Sequence, residues 1–300
     1  MSPSLIDFSH ELADTVDRAG QSIISVLDGG RTGVSGTIWR KGIAIVVAHT
    51  INGLDEVNVV LPSGVETKVK VSARDSGTDI AMLEMPEDLA PSSFADDSKA
   101  RAGEIVLSIG RRGTDGLAAA FGIVSAISGA WRTSTGARVD RWIRLDLNPF
   151  AGFSGGAVVN AAGEVIGMAT SGSGRSAEVV PASTVNRILD QLIKHGHPVR
   201  GYIGVGLQPV GFPEGAWQPL GITSGRGLLI TAIAPGSPAE QAKLTLGDVI
   251  VKIDGKPLSS LRGLHWLLDS EMVGKSISLG VVRAGELLDV SVSVLERPAN

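Results

Sequence analysis

The chain contains no cysteine. That excludes disulfides, thiolate zinc sites and a thiol nucleophile, and it leaves the redox compartment open. Aromatic side chains make up 4% of the sequence, with a single tyrosine, so any core must be built mainly from aliphatic residues. No apolar run approaches the ~20 residues a membrane-crossing helix needs. Charge of neither sign dominates: 27 Lys and Arg stand against 31 Asp and Glu, a net of −4. Without a basic stripe, nucleic acid is not an expected partner. The first twenty residues carry Asp7, Glu11, Asp14 and Asp17 in place of a basic start followed by an apolar run. On that basis the chain reads as cytoplasmic.

What is present suits a globular protein of two domains. The 300 residues are 43% apolar and include 39 glycines, a composition that fits turn-rich β structure. Val57–Leu61 and Val65–Val71 alternate around Pro62-Ser63-Gly64 and read as a hairpin. Ile105–Gly110 and Phe121–Ile127 are further strands. Regular short strands with glycine-rich turns point to barrels or a sandwich over residues 20–182. Two helices flank this region. Leu5, Phe8, Leu12 and Val16 recur at helical spacing after Ser4, predicting an amphipathic helix within residues 1–19. Val185, Ile188, Leu189 and Leu192 do the same in a connecting segment, 183–198, that is broken by His195-Gly196-His197-Pro198. His195 and His197 lack an acidic or thiolate neighbour within that break, so a solvated linker is the better reading than a metal site.

One stretch carries chemistry. Gly152-Phe153-Ser154-Gly155-Gly156 sets a serine among glycines, whose backbone freedom lets a tight turn aim its own N–H groups at one point. Such a point, beside the Ser154 hydroxyl, is where a tetrahedral intermediate would hold its oxyanion, with Gly152 and Ser154 as the donors. A serine needs a base, and the base needs an orienting acid. His49 ends the apolar run Ile43–Ala48. Asp79 opens another, Ile80–Leu83, after a Gly-Thr turn. Both stand at the edges of buried strands, and the chain order is His, Asp, Ser, as in one class of serine proteases.

These segments resemble the HtrA (high-temperature-requirement) family of serine proteases. The resemblance rests on Val46–Ile51, Thr78–Leu83, Gly152–Asn160 and Gly163–Met168, and it extends over nearly the whole chain after the first ~20 residues. It implies a mainly β fold, a chymotrypsin-like double six-stranded β-barrel with the His49, Asp79, Ser154 triad in the cleft between barrels. It implies an ATP-independent endopeptidase of unfolded or damaged proteins, with no metal and no cofactor. Family members are often trimers, and the N-terminal helix can join subunits; packing on its own barrel is the other reading. The resemblance also implies a periplasmic location. The chain departs from the family pattern at Phe153, where Asn is usual, and at Phe150-Ala151, which lengthen the loop after Asn148-Pro149. Both changes fall on the oxyanion loop. The long regulatory loop of many relatives is reduced to Asp28–Gly33.

The last hundred residues, 199–297, resemble a PDZ domain, a small α+β unit, through Gly247-Asp248-Val249-Ile250 and Asp254-Gly255. Such a domain takes a peptide as an added strand and holds its terminal carboxylate in a loop of backbone N–H groups. By resemblance that loop is Tyr202-Ile203-Gly204-Val205, and a helix near 261–268, with His265, forms the other wall. C-terminal peptides are therefore expected partners. The loops Asn148–Gly152 and Ser171–Glu178 offer only Glu178 as an acid, so cleavage after small or medium apolar residues is expected. A peptide-binding adaptor or holdase with a largely silent protease domain is the competing reading, and it rests on the altered oxyanion loop.

Overall fold

A computed structural model describes residues 4–298, except 28–32, 134, 172–176, 214, 216, 223–224, 259, 261–262 and 265–268. The chain divides into two compact units, 1–198 and 199–300.

The first unit begins with α1 (Leu5–Gly20). Ser4 caps it: its hydroxyl accepts the Asp7 N–H, and the Asp7 carboxylate accepts the Ser4 N–H in return, satisfying two orphan donors of the first turn. Six antiparallel strands then close a barrel: β1 (Ile23–Leu27), β2 (Val34–Arg40), β3 (Ile43–Val47), β4 (Glu56–Val60), β5 (Glu66–Asp75) and β6 (Ile80–Glu84). The order around it is β1-β2-β3-β6-β5-β4. A second closed barrel is built from β7 (Ile105–Arg111), β8 (Leu117–Ser128), β11 (Trp142–Asp146), β12 (Ala157–Asn160), β13 (Val165–Ser171) and β14 (Ala177–Pro181). The short pair β9 (Trp131–Arg132) and β10 (Arg138–Val139) stands between β8 and β11.

The continuous apolar runs have a simple cause. On β3, Ala44 and Val46 fill the first barrel, while Ile45 and Val47 face a second cluster outside it. On β12, Val158 fills the second barrel, while Ala157 and Val159 face that same outer cluster. Strands buried on both faces cannot alternate with polar residues. The outer cluster is where the barrels meet, and α2 (Ala182–His195) packs into it through Val185, Ile188, Leu189 and Leu192. Trp39 of β2 is 1% exposed and donates its indole N–H to Asn186 Oδ1 at 2.9 Å. The segment expected as a connector is thus part of the core of the first unit. Leu12, Val16 and Ala19 of α1 pack on the same cluster, but Leu5 and Ile6 are 86% and 66% exposed.

The second unit holds one sheet in the order β16-β17-β18-β20-β21: β16 (Val205–Gly211), β17 (Arg226–Ile233), β18 (Val249–Ile253), β20 (Ser276–Arg283) and β21 (Glu286–Ser293). β19 (Lys256–Pro257) pairs with β18, and β15 (Gly201–Tyr202) pairs with β22 (Leu295–Glu296). A single helical turn, α3 (Pro238–Gln241), covers one end and is capped by the Ser237 hydroxyl. Ile203, Leu228, Ile230, Ile250, Ile253, Leu279 and Val281 are among its buried core residues.

Asp248 opens β18 from a buried position. Its carboxylate accepts two hydrogen bonds from Arg283, at 2.8 and 2.7 Å, and two from Thr245. Burial pushes this carboxyl up, but Arg283 and Thr245 outweigh burial and hold it below the usual carboxylate range. A carboxyl depressed on folding stabilises fully above its unfolded value and loses that contribution as the pH falls toward the folded value. Asp248→Asn should therefore destabilise the second unit by about 2–4 kcal/mol at neutral pH. The variant should also lose less stability than the parent as the pH falls below ~4. Thermal melts of the full chain between pH 7 and pH 2.5 read both effects.

Candidate active site

His49 lies in a 3₁₀ turn, Ala48–Ile51, that follows β3 directly. Asp79 ends the four-residue turn between β5 and β6, whose pairing closes at Asp75 and Ile80. β3 and β6 are neighbours, with Val47 opposite Ile80, so the two ends reach the same rim of the first barrel. There the Asp79 carboxylate takes two hydrogen bonds from His49: the backbone N–H on Oδ1 at 2.9 Å and Nδ1 on Oδ2 at 2.6 Å. A carboxylate can only accept, so Nδ1 carries a proton, and in the neutral imidazole Nε2 then keeps the lone pair. The Asp79 carbonyl accepts the Ala48 N–H as well, at 3.0 Å.

Asp79 has φ +60°, the left-handed region that a side chain other than that of glycine, asparagine or aspartate enters reluctantly. The turn imposes it. Asp75, 1% exposed, accepts the Gly77 N–H at 2.9 Å, the Thr78 hydroxyl at 2.7 Å and the Thr78 N–H at 3.3 Å. Sequence reasoning passed over Asp75. Its signal was an aspartate two residues before a glycine and three before a threonine, the pattern of a side chain that closes its own turn.

The Ser154 loop comes from the second barrel. Phe153 is buried in that barrel's core, and the Phe150 ring meets it edge to face, centroids 6.1 Å apart. Two of the three residues that set the loop apart in the sequence, Phe150 and Phe153, thus form its apolar anchor. Phe153 donates its N–H to Phe150 O at 3.2 Å, and Gly155 donates to Ala169 O at 2.9 Å. Among the described residues the N–H groups of Gly152 and Ser154 have no acceptor, so alternate donors of the loop are spare. Gly152 and Gly155 have φ +85° and +87°. A Cβ on Gly155 would collide with Ser35 O and lie 3.5 Å from Val47 N. The residue after Ser154 therefore lies against β2 and beside the end of β3, which the His49 turn follows.

Three hydroxyls at this junction escaped the sequence reading. Ser25, Ser35 and Thr37 are fully buried on β1 and β2. Ser35 Oγ donates to Gly152 O at 2.6 Å, and Thr37 Oγ1 to Gly155 O at 3.0 Å. The only hint in the sequence is two hydroxyls at i and i+2, which share a face of the strand.

In the second unit, Ile203 is 1% exposed and Gly204 has φ +82°. The carbonyls of both already accept, from the Ala239 and Ala234 N–H groups at 2.9 Å each. A Cβ on Gly204 would collide with Ser237 and stand 3.0 Å from the Tyr202 hydroxyl. Val205 begins β16, which ends the sheet order and pairs only with β17 among the described strands. The loop thus leads into a sheet edge. Its expected opposite wall, residues 261–268 with His265, lies largely outside the described residues, as do 172–176 of the loop before Glu178 and 28–32 of the shortened loop. Glu178 itself lies on β14 opposite Arg144 and Thr170. Among the described residues no cluster of His, Asp or Glu could hold a metal ion, and no helix is long and apolar enough to cross a membrane.

The chain is similar to known proteins in both units. Residues 34–168 match the trypsin-like peptidase domain family and residues 201–294 the PDZ domain family. "Serine protease Do-like HtrA" of Lactobacillus helveticus is 33% identical over 87% of this chain and 68% of its own length. "Probable periplasmic serine protease do/HhoA-like" of Haemophilus influenzae is 31% identical over 85% of this chain, which spans 56% of that relative. Among solved structures, the HtrA-type protease AlgW with tripeptide superposes with a TM-score of 0.72 at 27% identity, covering 96% of this chain and 98% of that one. A variant of that protease with decapeptide gives 0.77 at 25% identity, covering 95% and 97%.

Asp75→Ala removes the buried acceptor of the Gly77 N–H and of the Thr78 N–H and hydroxyl, among its partners. It should destabilise the first unit by about 2–3 kcal/mol. It should also release the Asp79 turn, so that the chemical shift of the His49 Nδ1 proton moves. Calorimetry and proton NMR of the imidazole N–H region check the two effects together.

Proposed function

The chain belongs to the HtrA family of serine proteases, and from that premise we propose that it is an ATP-independent endopeptidase of unfolded or damaged proteins. The observation that carries this reading is the 2.6 Å hydrogen bond between His49 Nδ1 and Asp79 Oδ2, at the barrel junction that also holds the Ser154 loop. In the proposed mechanism Ser154 Oγ attacks the scissile carbonyl carbon, and His49 Nε2 takes the hydroxyl proton. Asp79 keeps the proton on Nδ1 and stabilises the imidazolium. The oxyanion of the tetrahedral intermediate takes the spare N–H groups of Gly152 and Ser154. His49 returns the proton to the leaving amine, and water then frees the acyl group by the same route. No metal or cofactor takes part.

The second unit is proposed to bind peptide C-termini. A peptide would add as a strand to β16, with its carboxylate on the N–H groups of Tyr202-Ile203-Gly204-Val205. A homo-oligomer, a trimer by family resemblance, is supported by the exposed apolar Leu5, Ile6 and Phe121, the last 51% exposed, whereas the edge-to-face contact of Phe8 with Phe121 packs α1 on its own barrel. A periplasmic location is carried over from the name of the Haemophilus relative.

Ser154→Ala should stop casein cleavage, with a loss of several orders of magnitude in rate, as removal of a triad nucleophile does. The melting temperature should hardly change, since Ser154 is only partly buried and loses one polar atom. Retention of a substantial rate by the pure variant would exclude Ser154 as the nucleophile. On the Ser154→Ala background, calorimetry should find that peptides ending in an apolar residue bind the full chain. Amidating their C-terminus should cost about 1.5–3 kcal/mol, the value of a charged acceptor, or roughly ten- to a hundredfold in affinity. Equal binding of the acid and the amide would rule out a carboxylate loop.

A further inference from the structure

We infer that Ser35, a first-barrel residue outside the triad, is a positioning residue for the oxyanion donors. The inference rests on the endopeptidase reading. Ser35 lies on β2, is fully buried, and grips the nucleophile loop twice. Its N–H and its hydroxyl both donate to the Gly152 carbonyl, at 3.0 and 2.6 Å. The direction of the hydroxyl is fixed. Ser35 Oγ accepts the Arg111 N–H at 3.0 Å, so its one hydrogen is free to point at Gly152 O. A relay thus runs from β7 of the second barrel, through a first-barrel hydroxyl, back to the loop of the second barrel.

Two donors on one carbonyl fix the plane of the Gly152–Phe153 peptide. That peptide lies between the two spare N–H groups, Gly152 before it and Ser154 after it. On the other side of Ser154, Thr37 holds the Gly155 carbonyl at 3.0 Å. The nucleophile therefore sits between two carbonyls, each held by a hydroxyl from the same face of β2. The loop packs tightly against the residue that leads into β2: a Cβ on Gly152 would stand 2.5 Å from Gly33 O. Oxyanion stabilisation requires donors aimed before the charge develops, with little reorganisation left to do. Ser35 is placed to supply that order without touching substrate.

A hydroxyl that merely cements the barrels would affect stability alone, and Ser25 provides the control. It pairs with Ser35 across β1 and β2, is equally buried, and accepts the Gly113 N–H at 3.0 Å. The experiment compares wild type, Ser35→Ala, Ser25→Ala and Ser154→Ala in the full chain. Initial rates on fluorescein-labelled β-casein are measured well below the melting temperature of each variant, with folding confirmed by circular dichroism. Ser35→Ala should lower kcat by about ten- to a hundredfold, the scale of a misplaced catalytic group, with KM and the pH profile unchanged. Ser25→Ala should lose melting temperature and keep kcat. A wild-type kcat in folded Ser35→Ala overturns the inference, as does an equal loss of kcat in Ser25→Ala. Should Ser35→Ala not fold, Ser35→Cys keeps the bulk with a weaker donor and is judged by the same outcomes. Cleavage by Ser154→Ala would instead overturn the endopeptidase reading itself, so the two failures are distinct.

Discussion

A closed barrel uses up its backbone hydrogen-bonding partners. That constraint governs the first unit. Two closed barrels cannot join by sharing a sheet edge, so they meet through side chains and through the loops that leave each rim. The apolar part of the joint is the cluster of Ile45, Val47, Ala157, Val159 and the inner face of α2. The polar part includes Ser25, Ser35 and Thr37 from one barrel, taking or giving bonds to backbone of the other. Buried hydroxyls left unmatched are costly, and matched ones favour a single docking arrangement. The candidate site is assembled across this joint, so its geometry is the geometry of barrel docking.

Arg111 strengthens the same joint in a less usual way. Its guanidinium is buried, and burial pushes it below its ordinary value. It donates to Ile23 O at 2.8 Å and reaches Gly20 O, the last residue of α1. A cation at a helix C-terminus meets the negative end of the helix dipole. The end of α1, the start of β1 and the end of β7 are thereby tied to one side chain.

Much of this was legible in the sequence because it is local. The runs Ile43–Val47 and Ile80–Leu83 announced doubly buried strands, and the residues at their ends, His49 and Asp79, meet as neighbouring strands require. Ser4 and the spacing of Leu12 and Val16 announced α1. What escaped detection depends on partners far apart in sequence. Ser35 and Gly152 are separated by 117 positions, and nothing near Ser35 says that its strand face is turned toward another barrel. Val185, Ile188 and Leu189 revealed a helix, but amphipathic spacing alone does not say whether the covered face belongs to a connector or to a core. Phe153 drew notice as a departure from the family pattern; its burial against Phe150 follows from the second barrel's core, which no local pattern describes.

The backbone at Asp79 has a consequence for how this site can change over time. The left-handed turn there suits aspartate, asparagine and glycine, and few others. A glutamate, the other carboxylate, would keep the charge but not the local fit. Either of the two tolerated alternatives is a single nucleotide away from aspartate, and neither carries a negative charge. With Asp79 as the acid of the proposed triad, the first barrel leaves the chain open to losing that chemistry in one step while keeping its architecture, and leaves almost no neighbouring sequence in which the acid is exchanged for another.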